Sequence, residues 1–414
     1  TSQTPLFLKF TTTQKNNSLA SLKKKFHKMP QIITKLIKQK SRQPTSTRKE
    51  IAFGLRALAQ SNVIQLMWTG ISYFDGKYYT ISKRDVDARR MSPLDTHKIS
   101  SNDINKEKNI NFPLHAYLHQ KTGKECCVLI HNQNASWLAA QNWIENALPP
   151  WDCNCAMFAR PGEVAEVKVP YILENLDDIG KIEKHNYELN SETKLAILPN
   201  RAIAVFGHSI NHAVMRSIYL NFAIETMRNI VSTGRENARL AEPKELLDQN
   251  YVWDTNPLFS NANHEMNILK KAMDLPLWWD RVDLTEYSDD NLDEMSLLAA
   301  VSIPPDTEIA TVGGTILTKP TKHTVRLATK VHLHMTDGGG AADSVFTRLN
   351  HSFNPNVLAR PNPQKECITF RALRAIDAGE KLTFEVESSE KGPSAVNLQK
   401  ITTEVSRSHL KVVK

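Results

Sequence analysis

Acidic residues are missing from the first 49 positions of this chain, a stretch that holds 12 lysines and arginines and no aspartate or glutamate. Taking those 12 from the 52 basic residues leaves 40 against 44 acidic ones, so the formal charge of +8 arises entirely in that stretch. Like charges without counter-charges repel, which excludes a compact core of its own there. Cysteine is scarce as well. Cys126, Cys127, Cys153, Cys155 and Cys367 are too few and too scattered for a disulfide framework, and they fit a reducing compartment. Cys153 and Cys155 stand close together in "WDCNC", yet no second Cys or His pair follows at a zinc-like spacing, so they read as ordinary buried or loop thiols. No apolar run approaches the roughly 20 residues of a membrane-crossing helix, and no membrane span is expected. What remains, 41% hydrophobic and 23% charged residues, is a globular composition over a length that exceeds one compact core.

The basic stretch, "NNSLASLKKKFHKMPQIITKLIKQKSRQPTSTRK", is rich in Ser, Thr, Gln and Lys. Three readings stand: an organelle-targeting segment or its remnant, a basic arm that lies on RNA or another anionic partner, and a solvated end. The scarcity of arginine speaks against a standard presequence. The first reading places the protein in a mitochondrion, and the others leave it in the cytoplasm.

From Lys49 the pattern turns globular. "RKEIAFGLRALAQSNVI" has apolar residues at helical spacing, and "GISYFDGKYYTIS" reads as two strands around an Asp-Gly turn. "FPLHAYLHQKTGKE" follows as a helix, "CCVLIHNQ" as an apolar strand, "KLAILPNRAIAVFG" as two strands about a Pro-Asn turn, and "SINHAVMRSIYLNFAIETMRNIVS" as a long helix. This mixture implies an α/β or α+β domain over 49–245. Residues 246–292 read as a bridge, with "EMNILKKAMDLPLWW" a helix broken at Pro276 and "DLTEYSDDNLDE" an exposed acidic run. A compact β module over 293–390 follows, with turn signals at "PPD", "DGGG" and "NPN", and the last segment, 391–414, is a basic tail.

The stretch from Pro113 to Ala140, with "PLHAYLHQ" followed by "VLIHNQNASWLA", resembles the class II aldolase/adducin family. In active members of that family, two histidines one residue apart and a third on a later strand pair hold a divalent metal that polarises a carbonyl. On this chain the three ligand positions fall on His131, Gln133 and Arg201. The family's acid/base glutamate falls on or beside Asn111, its phosphate-contacting "GN" on Thr69 and Gly70, and the glycine of "TPSG" on Lys83. Arginine has no lone pair to give and carries the wrong charge for a cation. No metal is therefore expected, and His131, like His115, His119, His208 and His212, reads as a structural or packing histidine. The resemblance implies an aldolase-type fold without its chemistry.

"SVFTRLNHSFNPNV" and the later "FRALRAIDAGEKLTFEVESSE", with "AAVSIPPDTEIATVGG" upstream, resemble the SET domain of protein-lysine methyltransferases. The resemblance implies S-adenosylmethionine contacts at Asn350 and His351. Other family features are changed. The glycines of "GxG" fall on Glu294 and Ser296, the cysteine of "NHSC" is Phe353, which would intrude on the cofactor pocket, and the closing tyrosine is Val386, which has no hydroxyl. Asn350, Pro355 and Asn356 also have a structural reading as turn residues.

The expected fold is thus an α/β class II aldolase-like domain followed by a mostly β SET-like domain. The expected function is a non-catalytic binding or scaffold subunit of a larger assembly, with protein partners, RNA as a partner of the basic arm, no catalytic residue and no cofactor. The alternative is a lysine methyltransferase that uses S-adenosylmethionine at Asn350 and His351, with a hydroxyl such as Ser388 positioning the amine.

Overall fold

The computed structural model describes residues 46–64, 70–83, 86–102, 112–141, 147–149, 153–167, 189–234, 261–273, 275–286, 295–321, 324–336 and 344–386, all of them within one compact unit. The basic stretch 1–45 and the tail from 387 onward lie outside the described residues.

Helix α1 (Thr47–Gln60) starts at the Ser46 cap, whose Oγ accepts from Lys49 N at 3.4 Å. It is buried nearly all round, from Ile51, Ala52 and Phe53 to Leu58 and Ala59, as a helix surrounded by other elements must be. Gly54 permits the close fit: a Cβ there would stand 2.9 Å from both Ile71 Cδ1 and Val214 Cγ2. Two members of the basic stretch, Arg48 and Lys49, belong to this helix and are buried. Arg48 donates to Thr96 O and Oγ1 at 2.8 and 2.9 Å, and Lys49 Nζ to Val282 O at 2.6 Å. Burial holds the Lys49 ammonium down to about 8, with Asp283 opposing.

Around this helix stands a seven-stranded sheet, order β3-β2-β1-β4-β7-β6-β5. Its strands are β1 (Gly70–Phe74), β2 (Tyr78–Ser82), β3 (Thr96–Ser100), β4 (Cys126–Ile130), β5 (Val164–Glu166), β6 (Leu195–Leu198) and β7 (Ala202–Gly207). All neighbours are antiparallel except β5 and β6. Both faces of β4 are covered, which explains its unbroken apolar run. Cys126, Val128 and Ile130 pack in the cluster that holds α1 and α5 (Ile210–Thr233), while Cys127 and Leu129 pack with α2 (Phe112–Thr122). Helix α3 (Gln133–Ala139) follows β4, and the short α4 (Cys153–Ala156) precedes β5.

Helix α6 (Asn261–Ala272) ends ahead of Pro276, and a 3₁₀ turn, Leu277–Asp280, buries Trp279 against Phe53 of α1 and Trp278 against Phe346. The acidic run begins as strand β8 (Val282–Glu286), paired with β9 (Met295–Ala299). Val282 and Leu284 point inward, an alternation masked in the sequence by the charges between them. The β-rich remainder comprises a five-stranded sheet, order β10-β16-β15-β17-β14, and a three-stranded sheet, order β11-β13-β12. These strands are β10 (Glu308–Val312), β11 (Gly314–Leu317), β12 (Thr324–Ala328), β13 (Val331–Met335), β14 (Asn350–His351), β15 (Val357–Asn362), β16 (Cys367–Ala372) and β17 (Thr383–Val386). One apolar cluster runs from α1 through Trp279 and Leu297 to Phe384, so both parts share a core. Among the described residues, no helix is long and apolar enough to cross a membrane.

Candidate functional site

The register of the large sheet brings the expected ligand positions to one end. Ile130 pairs with Ile203 and Gly70 with Leu129. His131, just past β4, therefore lies at the same sheet end as Arg201, just before β7, and as the start of β1. His131 and Gln133 are exposed, and Arg201 is half-buried in the tight turn where Asn200 takes the left-handed conformation, φ 56°. Lys83 follows β2 at this end as well, while Thr69 and Asn111 lie outside the described residues.

An imidazole, a neutral amide and a guanidinium do not fit a divalent metal: one good lone pair faces a fixed positive charge. Among the described residues, no three His, Cys, Asp or Glu side chains gather as a metal-holding group. Between the first two ligand positions, Asn132 is buried and committed elsewhere. Its Oδ1 caps α3 by accepting from Ala135 N at 2.6 Å, and its Nδ2 donates to Val63 O at 2.7 Å and Asn221 Oδ1 at 3.0 Å. Asn134 Nδ2 donates to the same Asn221 Oδ1 at 3.0 Å and its Oδ1 accepts from Arg228 at 2.6 Å. This amide network ties the β4–α3 loop to α5, and the clustered Asn residues of "HNQNAS" were the only trace of it in the sequence.

A second polar group, unmarked in the sequence beyond two histidines four apart, lies under β1. Ser72 Oγ stands 2.7 Å from both His115 Nδ1 and His119 Nε2, and His119 Nδ1 is 2.7 Å from Lys124 O. The carbonyl can only accept, so His119 Nδ1 donates, its Nε2 accepts from the Ser72 hydroxyl, and His115 Nδ1 donates to Ser72. His115 Nε2 is left as a buried acceptor with no hydrogen-bond partner, beside Gly70. Burial keeps both rings neutral, lowering His115 to about 3 and His119 to about 4. His115, His119 and His212 are thus packed histidines, whereas His208 is exposed and stacks on His212.

In the β-rich part, residues far apart in sequence also meet. Asn350 Nδ2 donates to Ser296 Oγ at 3.4 Å, and Ser296 is buried on β9. His351 is half-buried, its ring edge-on to Phe384 at 6.1 Å and to Phe353 at 5.9 Å. Phe353 corrects one expectation. It is 97% exposed and fills no pocket, because β14 ends after two residues and the loop turns outward at Ser352, whose Oγ accepts from Asn354 N at 3.1 Å. Asn356 is instead the buried staple: Nδ2 donates to Glu380 Oε1 at 2.8 Å and Lys381 O at 2.9 Å, and Oδ1 accepts from Thr383 N at 2.8 Å. Arg374, at 2.6 Å, holds the Glu380 carboxyl down to about 2. Val386 ends β17 opposite Ala359, and Glu294 and Ser388 lie outside the described residues.

Residues 49–227 match the family described as "Class II Aldolase and Adducin N-terminal domain". No curated protein matches the chain. Among solved structures, an aldolase II superfamily protein from Pseudomonas syringae is 15% identical over 58% of this chain and 96% of its own, with a TM-score of 0.47. An L-fuculose 1-phosphate aldolase from Glaciozyma antarctica is 12% identical over 54% of this chain and 88% of its own, with a TM-score of 0.43. The L-fuculose-1-phosphate aldolase from Thermus thermophilus is 15% identical over 47% of this chain and all of its own, with a TM-score of 0.35. The family match, rather than these distant likenesses, supports an aldolase II-like α/β fold for residues 49–227, the N-terminal part of the chain.

Proposed function

We propose that the protein is a non-catalytic binding or scaffold subunit of a larger assembly, built from a metal-less class II aldolase-like domain and a degenerate SET-like domain. Arg201 carries this reading. It enters at the sheet end where His131 and Gln133 stand, and its fixed positive charge opposes a cation at the place where the aldolase reaction needs a Lewis acid. The loop between the ligand positions is meanwhile bound into the packing through Asn132. The basic stretch ahead of the Ser46 cap suits an anionic partner surface such as RNA, in a mitochondrion or in the cytoplasm. The test is purification of the native protein under mild salt. A stable complex, with no aldol cleavage and no metal in the isolated chain, is the expected result. A lone chain that cleaves sugar phosphates only when supplied with a divalent metal sinks the proposal.

A second reading, a SET-type lysine methyltransferase, draws on two observations. Asn350 meets Ser296 across 54 residues of sequence, and Phe353 is exposed rather than buried in the core behind His351. Labelled S-adenosylmethionine offered with mixed protein substrates decides it: methyl transfer that disappears in Asn350→Ala establishes this reading, and the absence of both transfer and cofactor binding removes it.

A further inference from the structure

The three-stranded sheet turns one face to the core and one outward. On its central strand, β13, Leu333 and Met335 are buried, and His332 and His334 alternate with them as half-buried residues of the opposite face. Neighbours hold this strand on both sides: His334 pairs with Thr315 and Thr324, and His332 with Leu317 and Arg326. Residues two apart on a strand stand about 6.6 Å apart on the same face, a span that two inclined imidazoles can close to the roughly 3 Å between nitrogens sharing one metal.

We propose that His332 and His334 form a two-imidazole site for a borderline transition-metal ion, completed by water. This site lies outside the aldolase/adducin match, which ends at 227, and it depends on neither functional reading above. The donors are imidazoles, with no thiolate and no carboxylate in the strand pairs that flank them. Such a set favours Cu(II), then Ni(II) or Zn(II), over Mg(II) or Ca(II).

Two features support the geometry. The backbone at His334 is fixed by close approach of the edge strand: a Cβ on Gly314 would lie 1.8 Å from His334 O, so β11 can sit this near only with glycine there. The one charged residue in the flanking pairs, Arg326, is drawn along its own strand, with Nε and Nη2 each 3.4 Å from Ala328 O and Thr329 Oγ1 respectively. Arg326 stands opposite His332, but its exposed guanidinium is directed along β12 toward the β12–β13 turn. Thr315, exposed beside His334, offers an additional oxygen.

The test titrates the full-length chain with Cu(II) and with Zn(II) alone, by calorimetry, beside His332→Asn, His334→Asn and the double variant. The expected result is one site per chain that binds Cu(II) more tightly than Zn(II). Each single substitution should weaken it about tenfold or more, and the double substitution should remove it. Electron paramagnetic resonance of the wild-type chain with one equivalent of Cu(II) should report two imidazole nitrogens, a readout that needs no variant to fold. Binding unchanged in a folded double variant, dependence on only one of the two histidines, or a spectrum with a single imidazole nitrogen overturns the proposal.

Discussion

In the large sheet the polar residues around the ligand positions are turned into packing: Asn132, Ser72, His115 and His119 are buried and bonded to one another or to backbone. On β14 and the loop after it, Asn350, Phe353 and Asn354 face solvent, and Asn356 is drawn into the core. The contrast separates two ways in which a polar loop can be held in place. In the first region the residues between and below these positions have structural partners, so any rearrangement of that loop would have to break them. In the second, one residue holds the loop in place while its neighbours remain available to whatever the surface meets.

The comparison is sharpened most by acid. His119 has a folded value near 4 against an ordinary value near 6.5, because burial disfavours the charged ring. A group depressed in the folded state contributes stability that is complete above the unfolded value and is lost as the pH falls toward the folded one. For His119 alone this amounts to about 3 kcal/mol by pH 4. Glu50 works the other way. Burial and Asp283 raise its carboxyl to about 7, so its contribution is full below the usual carboxylate range and is lost as the pH rises through 7. The informative quantity is therefore the difference between wild type and His119→Gln, whose amide keeps an acceptor for Ser72. Denaturant unfolding between pH 7 and pH 4 should show the wild type losing more stability than the variant. Parallel curves would mean that the string is not neutral and buried as described.

Next in size are the two staples. Asn132→Ala removes a helix cap and leaves Val63 O without its donor inside the protein, a loss of about 2–3 kcal/mol. Asn356→Ala strips three bonds from the start of β15 and leaves Thr383 N and Lys381 O unmatched, for about 2 kcal/mol. Chemical denaturation measures both. A change below about 0.5 kcal/mol for either would place that residue with the ordinary surface positions.

Much of the first region was legible in advance because periodicity and turn chemistry carry it. The apolar run of β4 and the Pro-Asn turn between β6 and β7 follow from local pattern, whereas the grouping of His131, Gln133 and Arg201 was implied by the family resemblance, and strand pairing sets them at one sheet end. Three features were not legible, each for a physical reason. The burial of Arg48 and Lys49, where the basic stretch meets the first helix pattern, was not legible, since nothing local reveals that Thr96 and Val282 lie within reach of their side chains. β8 was hidden in an acidic run because its inward residues, Val282 and Leu284, alternate with charged and polar ones. The direction of Phe353 depends on where a two-residue strand ends, which is set by its pairing with β17 and not by the loop's own residues.

Phe353 gives the smallest expected effect and the cleanest end of the comparison. A buried phenylalanine truncated to alanine costs about 3–5 kcal/mol, through lost transfer energy and the cavity left behind. At 97% exposure neither term operates, and the contact to lose is the edge-on meeting with His351, itself half in solvent. Phe353→Ala should therefore change unfolding free energy by no more than about 0.5 kcal/mol. Asn356→Ala, three positions away in the same motif, should cost several times as much. Measured side by side by urea denaturation, the pair tests the description of the loop directly. If Phe353→Ala proves as damaging as Asn356→Ala, the ring is packed in the isolated chain and the outward turn of the loop described above is wrong.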